Sequence, residues 1–229
     1  MVEIDQLVSA STDSPHTVAI PRTNRSAPFI RWSAWIDVIG VAYVLGTWAC
    51  FVVLRPDLNP LSHYLSEYVH GPYGTLMTST FAVLGFAWAM LAAGLFRTIT
   101  PAGRSWFGLG VLALGSALTF GMGLFPTEPS GAAPTMAGTL HRLLAKLFFV
   151  SICPGILALT IAWRHDRAWS SVVRPALALG GSALVGLIFL VSCPPELSGF
   201  AQRMMLSGIL GWHMLAAWRV GRLGIPADG

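Results

Sequence analysis

AWIDVIGVAYVLGTWACFVVL (Ala34–Leu54) leads within two residues into DLNPLSHYLSEYVHGPYG (Asp57–Gly74), and this pair of stretches decides the fold. The first is an apolar run, interrupted only by Asp37 among charged residues, and long enough to cross a bilayer, which takes about 20 residues as a helix. The second gathers Asn59, Ser62, His63, Ser66, Glu67 and His70 before the next apolar run begins. A polar segment between two such runs belongs at a membrane surface. Read as a helix, it is amphipathic. His63, Glu67 and His70 share one stripe at i, i+4 and i+7, and Leu61, Tyr64, Leu65 and Tyr68 fall opposite. Asn59-Pro60 would start this helix and Gly71-Pro72 would end it.

Working outward, the same alternation repeats. Further apolar runs lie at approximately Thr75–Phe96, Ser105–Phe125, Leu140–Trp163, Val173–Cys193 and Ala201–Trp218. The chain is 54% hydrophobic and 10% charged, with a mean hydropathy of +0.65. A soluble domain carries roughly 25% charged residues. The expectation is an all-α integral membrane protein. It is a six-transmembrane-helix bundle with a short amphipathic helix in the first outer loop. Continuous rather than alternating apolar runs exclude an outer-membrane barrel. The domain plan is a polar tail over 1–28, a membrane domain over 29–223 and a short tail over 224–229. No apolar core in the first tail suits a cleavable signal peptide.

Charge sets the expected orientation. Ten arginines flank the termini and the second and fourth loops, against Arg55, Arg142, Lys146 and Arg203 on the other side. The positive-inside rule then puts both termini in the cytoplasm of a multi-pass plasma (inner) membrane protein. The basic residues form no dense patch, which argues against nucleic acid as a partner. The bilayer is the implied partner, and no residue pattern sets an oligomeric state. Six tryptophans, Trp32, Trp35, Trp106, Trp163, Trp169 and Trp218, sit near span ends as interfacial anchors would. Cys50, Cys153 and Cys193 read as buried thiols, with a Cys50–Cys193 disulfide as the alternative.

The odd-numbered loops hold most of the unusual polar residues. Loop three carries Glu128, His141, Arg142 and Lys146. Loop five carries Glu196, Gln202 and Arg203. Lys146 falls about two turns inside the fourth span, where it must snorkel or pair with Glu128, Glu67 or Glu196. Arg203 could anchor at the surface or present a planar fork to a carboxylate or phosphate. His63, Glu67 and His70 are a weak candidate zinc set, with His141 as a fourth ligand. Otherwise no cofactor is implied. Asp37 reads as structural, hydrated at the first span's interface. His213, inside the sixth span, is a functional candidate or a satisfied core imidazole.

Together N-P-L-S-H-x-L-S-E at Asn59–Glu67, G-L-F-P-T-E at Gly123–Glu128, the His141 that opens the next span, and G-F-A-Q-R at Gly199–Arg203 mark a resemblance. The chain from about Ser33 to Arg219 resembles a bacterial and archaeal six-span family, the domain of unknown function 998. In that family the acidic position after F-P-T is more usually Asp. The resemblance implies a membrane bundle with these motifs on one face, and no settled activity.

Three functional readings compete. The first is a membrane-embedded enzyme acting on a lipid, isoprenoid or lipid-linked substrate from the outer leaflet. Glu67 and Glu128 would be its acid and base and His141 its proton carrier. Arg203, Lys146, Gln202, Ser62, His63 and Asn59 would bind substrate. The second is a non-catalytic ligand-binding, sensor or accessory subunit using the same groups. The third, a small-molecule transporter, lacks the paired broken helices such folds use.

Overall fold

The computed structural model describes residues 27–129 and 131–225. Six long helices account for most of them: α1 (Ala27–Leu54), α2 (Gly74–Thr98), α3 (Trp106–Leu124), α4 (Met136–Ala162), α5 (Val173–Ser192) and α6 (Ser198–Leu223). Short 3-10 turns fill several loops, and there is no strand among the described residues. Residues 1–26 and 226–229 of the two expected tails lie outside the described residues. Ala27 and Pro28 already belong to α1.

α1 to α5 are each long and apolar enough to cross a membrane. α6 does not meet the same measure. It carries Gln202, Arg203, His213, Arg219 and Arg222, yet it is the most enclosed helix, with Met205, Ile209, Trp212, His213, Ala216 and Val220 all fully buried. Gln202, Arg203 and Arg219 hydrogen-bond to protein groups and His213 Nδ1 lies beside Asp37, so its sequence needs less apolar character to be stable inside the bundle.

Each helix packs on its neighbours in chain order, α6 returns to α1, and α2 also touches α6. α4 and α5 are the loosest pair of consecutive helices. Two ends result. The chain's described ends meet at one of them, the terminal end, where a side chain added at Gly224 would press on Ile30 and Arg31. There Asp166 ties the second and fourth loops together. Its Oδ2 accepts from the Thr100 N–H at 2.7 Å and hydroxyl at 2.9 Å, and its Oδ1 from the Ala168 N–H at 2.9 Å. Arg219 donates to the Ala168 carbonyl. Loops one, three and five close the opposite end.

The interfacial reading of the tryptophans divides. Trp32, Trp35, Trp106 and Trp218 are exposed on the bundle surface. Trp163 and Trp169 are instead fully buried and pack with Trp212 in the terminal half, at ring separations of 4.4 and 5.3 Å from Trp163. The three cysteines are free, so the Cys50–Cys193 alternative does not form, and Cys50 is exposed rather than buried.

Candidate functional site

Loop one departs from the expected amphipathic α-helix. Asn59 makes a local turn by accepting from the Leu61 N–H at 2.9 Å, and Leu65–Val69 forms a 3-10 helix. The tighter three-residue repeat rotates the stripe: Leu65, Glu67 and Tyr68 are buried together, while Leu61 and Tyr64 face out. Glu67 accepts from the Tyr64 N–H at 2.9 Å and so caps its own turn. His63 bonds within its turn, to Asn59 O and Ser62 Oγ, whereas His70 Nε2 donates to the Thr127 carbonyl at 2.6 Å. The His63–Glu67–His70 zinc set is therefore pulled apart. Among the described residues no cluster of three or more His, Cys, Asp or Glu side chains is placed to hold a metal ion.

The start of α6 clamps this loop. Ser198 Oγ donates to Ser62 O at 2.8 Å, and Phe200 N to Leu61 O at 2.9 Å. Gln202 Oε1 accepts from Leu65 N at 2.8 Å. Arg203 sends one nitrogen to the carbonyls of Pro60 (2.7 Å), His63 (2.9 Å) and Gly199 (3.0 Å). Gly199 must be glycine for the approach: a Cβ there would meet Pro60 O at 2.7 Å and His63 O closer still. G-F-A-Q-R and N-P-L-S-H are thus two halves of one contact. The guanidinium expected to hold a ligand's anion holds backbone instead, although the Glu67 carboxylate is close enough to act on it.

A second clamp joins loop three to α4. Thr135 caps the helix by accepting from Gly138 N at 3.0 Å. Glu128 lies over this first turn, accepting from Thr135 N at 2.5 Å and from its hydroxyl at 3.1 Å, and it pairs with Arg142. Gly138 lets it in, since a Cβ would overlap the carboxylate. The Thr135 N–H, then its hydroxyl and Arg142, hold the Glu128 carboxyl below its ordinary range. His141, one turn on, donates through Nδ1 to Phe125 O (2.7 Å) and Met122 O (3.1 Å), so that when the ring is neutral Nε2 is its lone-pair nitrogen.

Between these clamps a cavity of about 560 Å³ runs into the bundle. Glu67, Glu128, His141, Arg142, Lys146 and Gln202 line it near the loops; Arg203, Asn59, Ser62 and His63 do not. Lys146 is exposed and makes no ion pair among the described residues. Deeper, the wall is apolar, with Met77, Leu84, Phe148 and Leu206. The indole N–H of Trp48 and Trp88 and the Thr119 hydroxyl, all on residues of this wall, are buried without a partner among the described residues. Sequence reading missed these three because nothing in a Trp or Thr within an apolar run distinguishes a cavity wall from ordinary core.

Below the cavity, Trp88 stacks on His213 at 4.4 Å. His213 Nδ1 lies 3.3 Å from Asp37 Oδ1, both side chains have no exposed surface, and Asp37 Oδ2 and His213 Nε2 have no partner among the described residues. Asp37 is thus a buried partner of α6, roughly 15 Å along α1 from Ala27, and is not hydrated at an interface.

No curated protein and no solved structure matches this chain. A family match does cover residues 38–219, spanning both clamps, the cavity and the Asp37 neighbourhood. The chain belongs to the family described as Protein of unknown function (DUF998).

Proposed function

We propose that this protein is a six-span membrane protein, with both termini cytoplasmic, that binds one bilayer amphiphile such as a lipid or isoprenoid in an outward-facing cavity. The observation that carries the reading is the cavity itself. Its volume lies in the range of small-molecule sites, roughly 300–1,000 Å³. It has an apolar depth and a rim that combines Glu67, Glu128, His141, Arg142 and Lys146. An acyl or prenyl chain matches the depth, and a polar head matches the rim. The unpartnered Trp48, Trp88 and Thr119 groups offer donors to an oxygen carried partway down such a chain.

Binding is favoured over acid–base catalysis by the setting of Glu128 and by the engagement of Arg203 and Gln202. A carboxylate fixed by a helix N-terminus and an arginine, as Glu128 is, is a poor proton donor at neutral pH. Arg203 and Gln202 are engaged with loop one. One observation supports catalysis as a second reading: His141 faces the cavity with Nδ1 committed, so Nε2 is oriented to take a proton.

Native mass spectrometry of the detergent-extracted protein tests the first reading. A stoichiometric lipid or isoprenoid should accompany the native chain and be lost in Ala145→Trp, which fills the cavity. A native chain that carries no such mass, even after reconstitution, would refute it. A reporter fused after Gly229 tests topology; activity on the outer side would reverse the cavity's facing. The catalytic reading predicts that His141→Asn, which keeps a donor for Phe125, retains the bound molecule unchanged in mass where the native chain alters it.

A further inference from the structure

The cavity does not close on the side of α4 and α5. Among the residues that line it, Val150 on α4 is 67% exposed and Val191 on α5 is 77% exposed. Residues that both line an internal space and show their surface outside must flank an opening. The opening falls between the two consecutive helices that pack most loosely. Its flanks continue with Leu147 on α4 and Val185 and Ile188 on α5, all exposed and apolar. A surface of that character faces acyl chains. This mouth is therefore lateral, toward the bilayer, and is distinct from the loop-three rim, where Pro129, Gly131 and Ala132 also line the cavity and are exposed.

One charge stands at this mouth. Lys146 is one turn from Val150 on the same face, lines the cavity and has no carboxylate within ion-pair distance among the described residues. Arg142, a further turn toward the loops, is neutralised by Glu128. The mouth thus carries one uncompensated ammonium beside an apolar slot.

Resting on the binding reading above, we infer that the occupant is an anionic lipid. It enters between α4 and α5, with its chain in the cavity and its phosphate on Lys146. An ammonium at the edge of a low-dielectric wall is better satisfied by a lipid's fixed anion than by snorkelling alone. A zwitterionic head brings its own cation to the same place and gains less.

The experiment places the full chain in nanodiscs of equimolar phosphatidylglycerol and phosphatidylcholine with identical chains, and reads retained lipid by native mass spectrometry. The native protein should retain phosphatidylglycerol preferentially. Lys146→Gln should reduce that preference about fivefold, the worth of one basic residue against anionic lipid. Lys146→Arg should restore it. Arg174→Gln, which removes an exposed cation at the far end of α5, should leave it unchanged. Val150→Trp, on a lipid-facing surface where folding tolerates bulk, should reduce retention of both lipids. Equal retention of the two lipids overturns the anionic head while the binding reading survives. A preference insensitive to Lys146→Gln, or equally sensitive to Arg174→Gln, overturns the role of Lys146. Retention unaffected by Val150→Trp overturns the lateral entry. A native chain that retains no lipid overturns this inference together with the reading beneath it.

Discussion

The terminal half of the bundle is filled, and the half under loops one, three and five is hollow. In the terminal half, Trp163, Trp169 and Trp212 occupy the space between α4, its following loop and α6, and Trp212 donates to Thr160 Oγ1 at 2.8 Å. Asp37 and His213 lock α1 to α6 beside them. In the other half Trp48, Phe81, Trp88, Phe148 and Phe149 stand in the walls beside methionine, threonine and leucine, and about 560 Å³ between them is left. Its roof is held by polar clamps together with the buried Leu65 and Tyr68. Polar clamps fix a shape without filling it, so a cavity survives beneath them, whereas large rings packed at native density leave none. Close packing is thus concentrated in one half and free volume in the other.

The largest expected effect probes the filled half. Asp37→Ala leaves His213 buried beside an unpaired site and should cost about 3–5 kcal/mol, whereas Asp37→Asn, which keeps a hydrogen bond, should cost much less. Reversible unfolding in mixed micelles measures both. Equal, small losses would mean that the pair is not what joins α1 to α6.

Next comes the roof. Arg203→Ala strips a charged donor from three carbonyls and should cost about 1.5–3 kcal/mol. Amide exchange should rise across residues 60–65 while α5 stays protected. Global loss of protection instead would show that the clamp supports the whole bundle and not loop one alone.

Overpacking compares the halves directly. Ala176→Trp, at a fully buried site on α5, should cost at least 1–3 kcal/mol. Ala145→Trp, directed into the cavity, should cost less than about 1 kcal/mol, because the volume is already there. Equal costs would mean the hollow half is no looser than the filled one.

The smallest effect is in pH. Glu128 has a depressed folded pKa, so its contribution is present above the unfolded value near 4.5 and is lost as pH falls through the lower folded value. Acid melting below pH 4.5 should flatten in Glu128→Gln. An unchanged acid slope in that variant would remove the helix-cap role assigned to the carboxylate.

Much of this was legible in the sequence. Five of the apolar runs became membrane-length helices, because a backbone out of water must satisfy itself within each segment. The polar motifs of the odd loops did gather at one end, as alternating spans require. Loop one was misread as a regular helix because i, i+4 and i+7 spacing is compatible with a helix without demanding one. The chain instead forms a short 3-10 helix over Leu65–Val69 and turns toward α2 through Gly71, at φ 76°, and Tyr73, at φ 67°.

Composition and periodicity alone determined the class, the helices and the end at which the motifs collect, because each follows from local hydropathy. Partnership was decided by tertiary structure. The same Arg203 could hold a ligand or a loop, and a glycine at 199 beside two carbonyls settled which. Asp37 and His213, 176 positions apart, are each merely a polar residue in an apolar run until α1 and α6 touch. The cavity belongs to no residue at all: it is the volume left where six helices, held by their clamps, fail to fill the space between them, and one-dimensional patterns carry no record of volume.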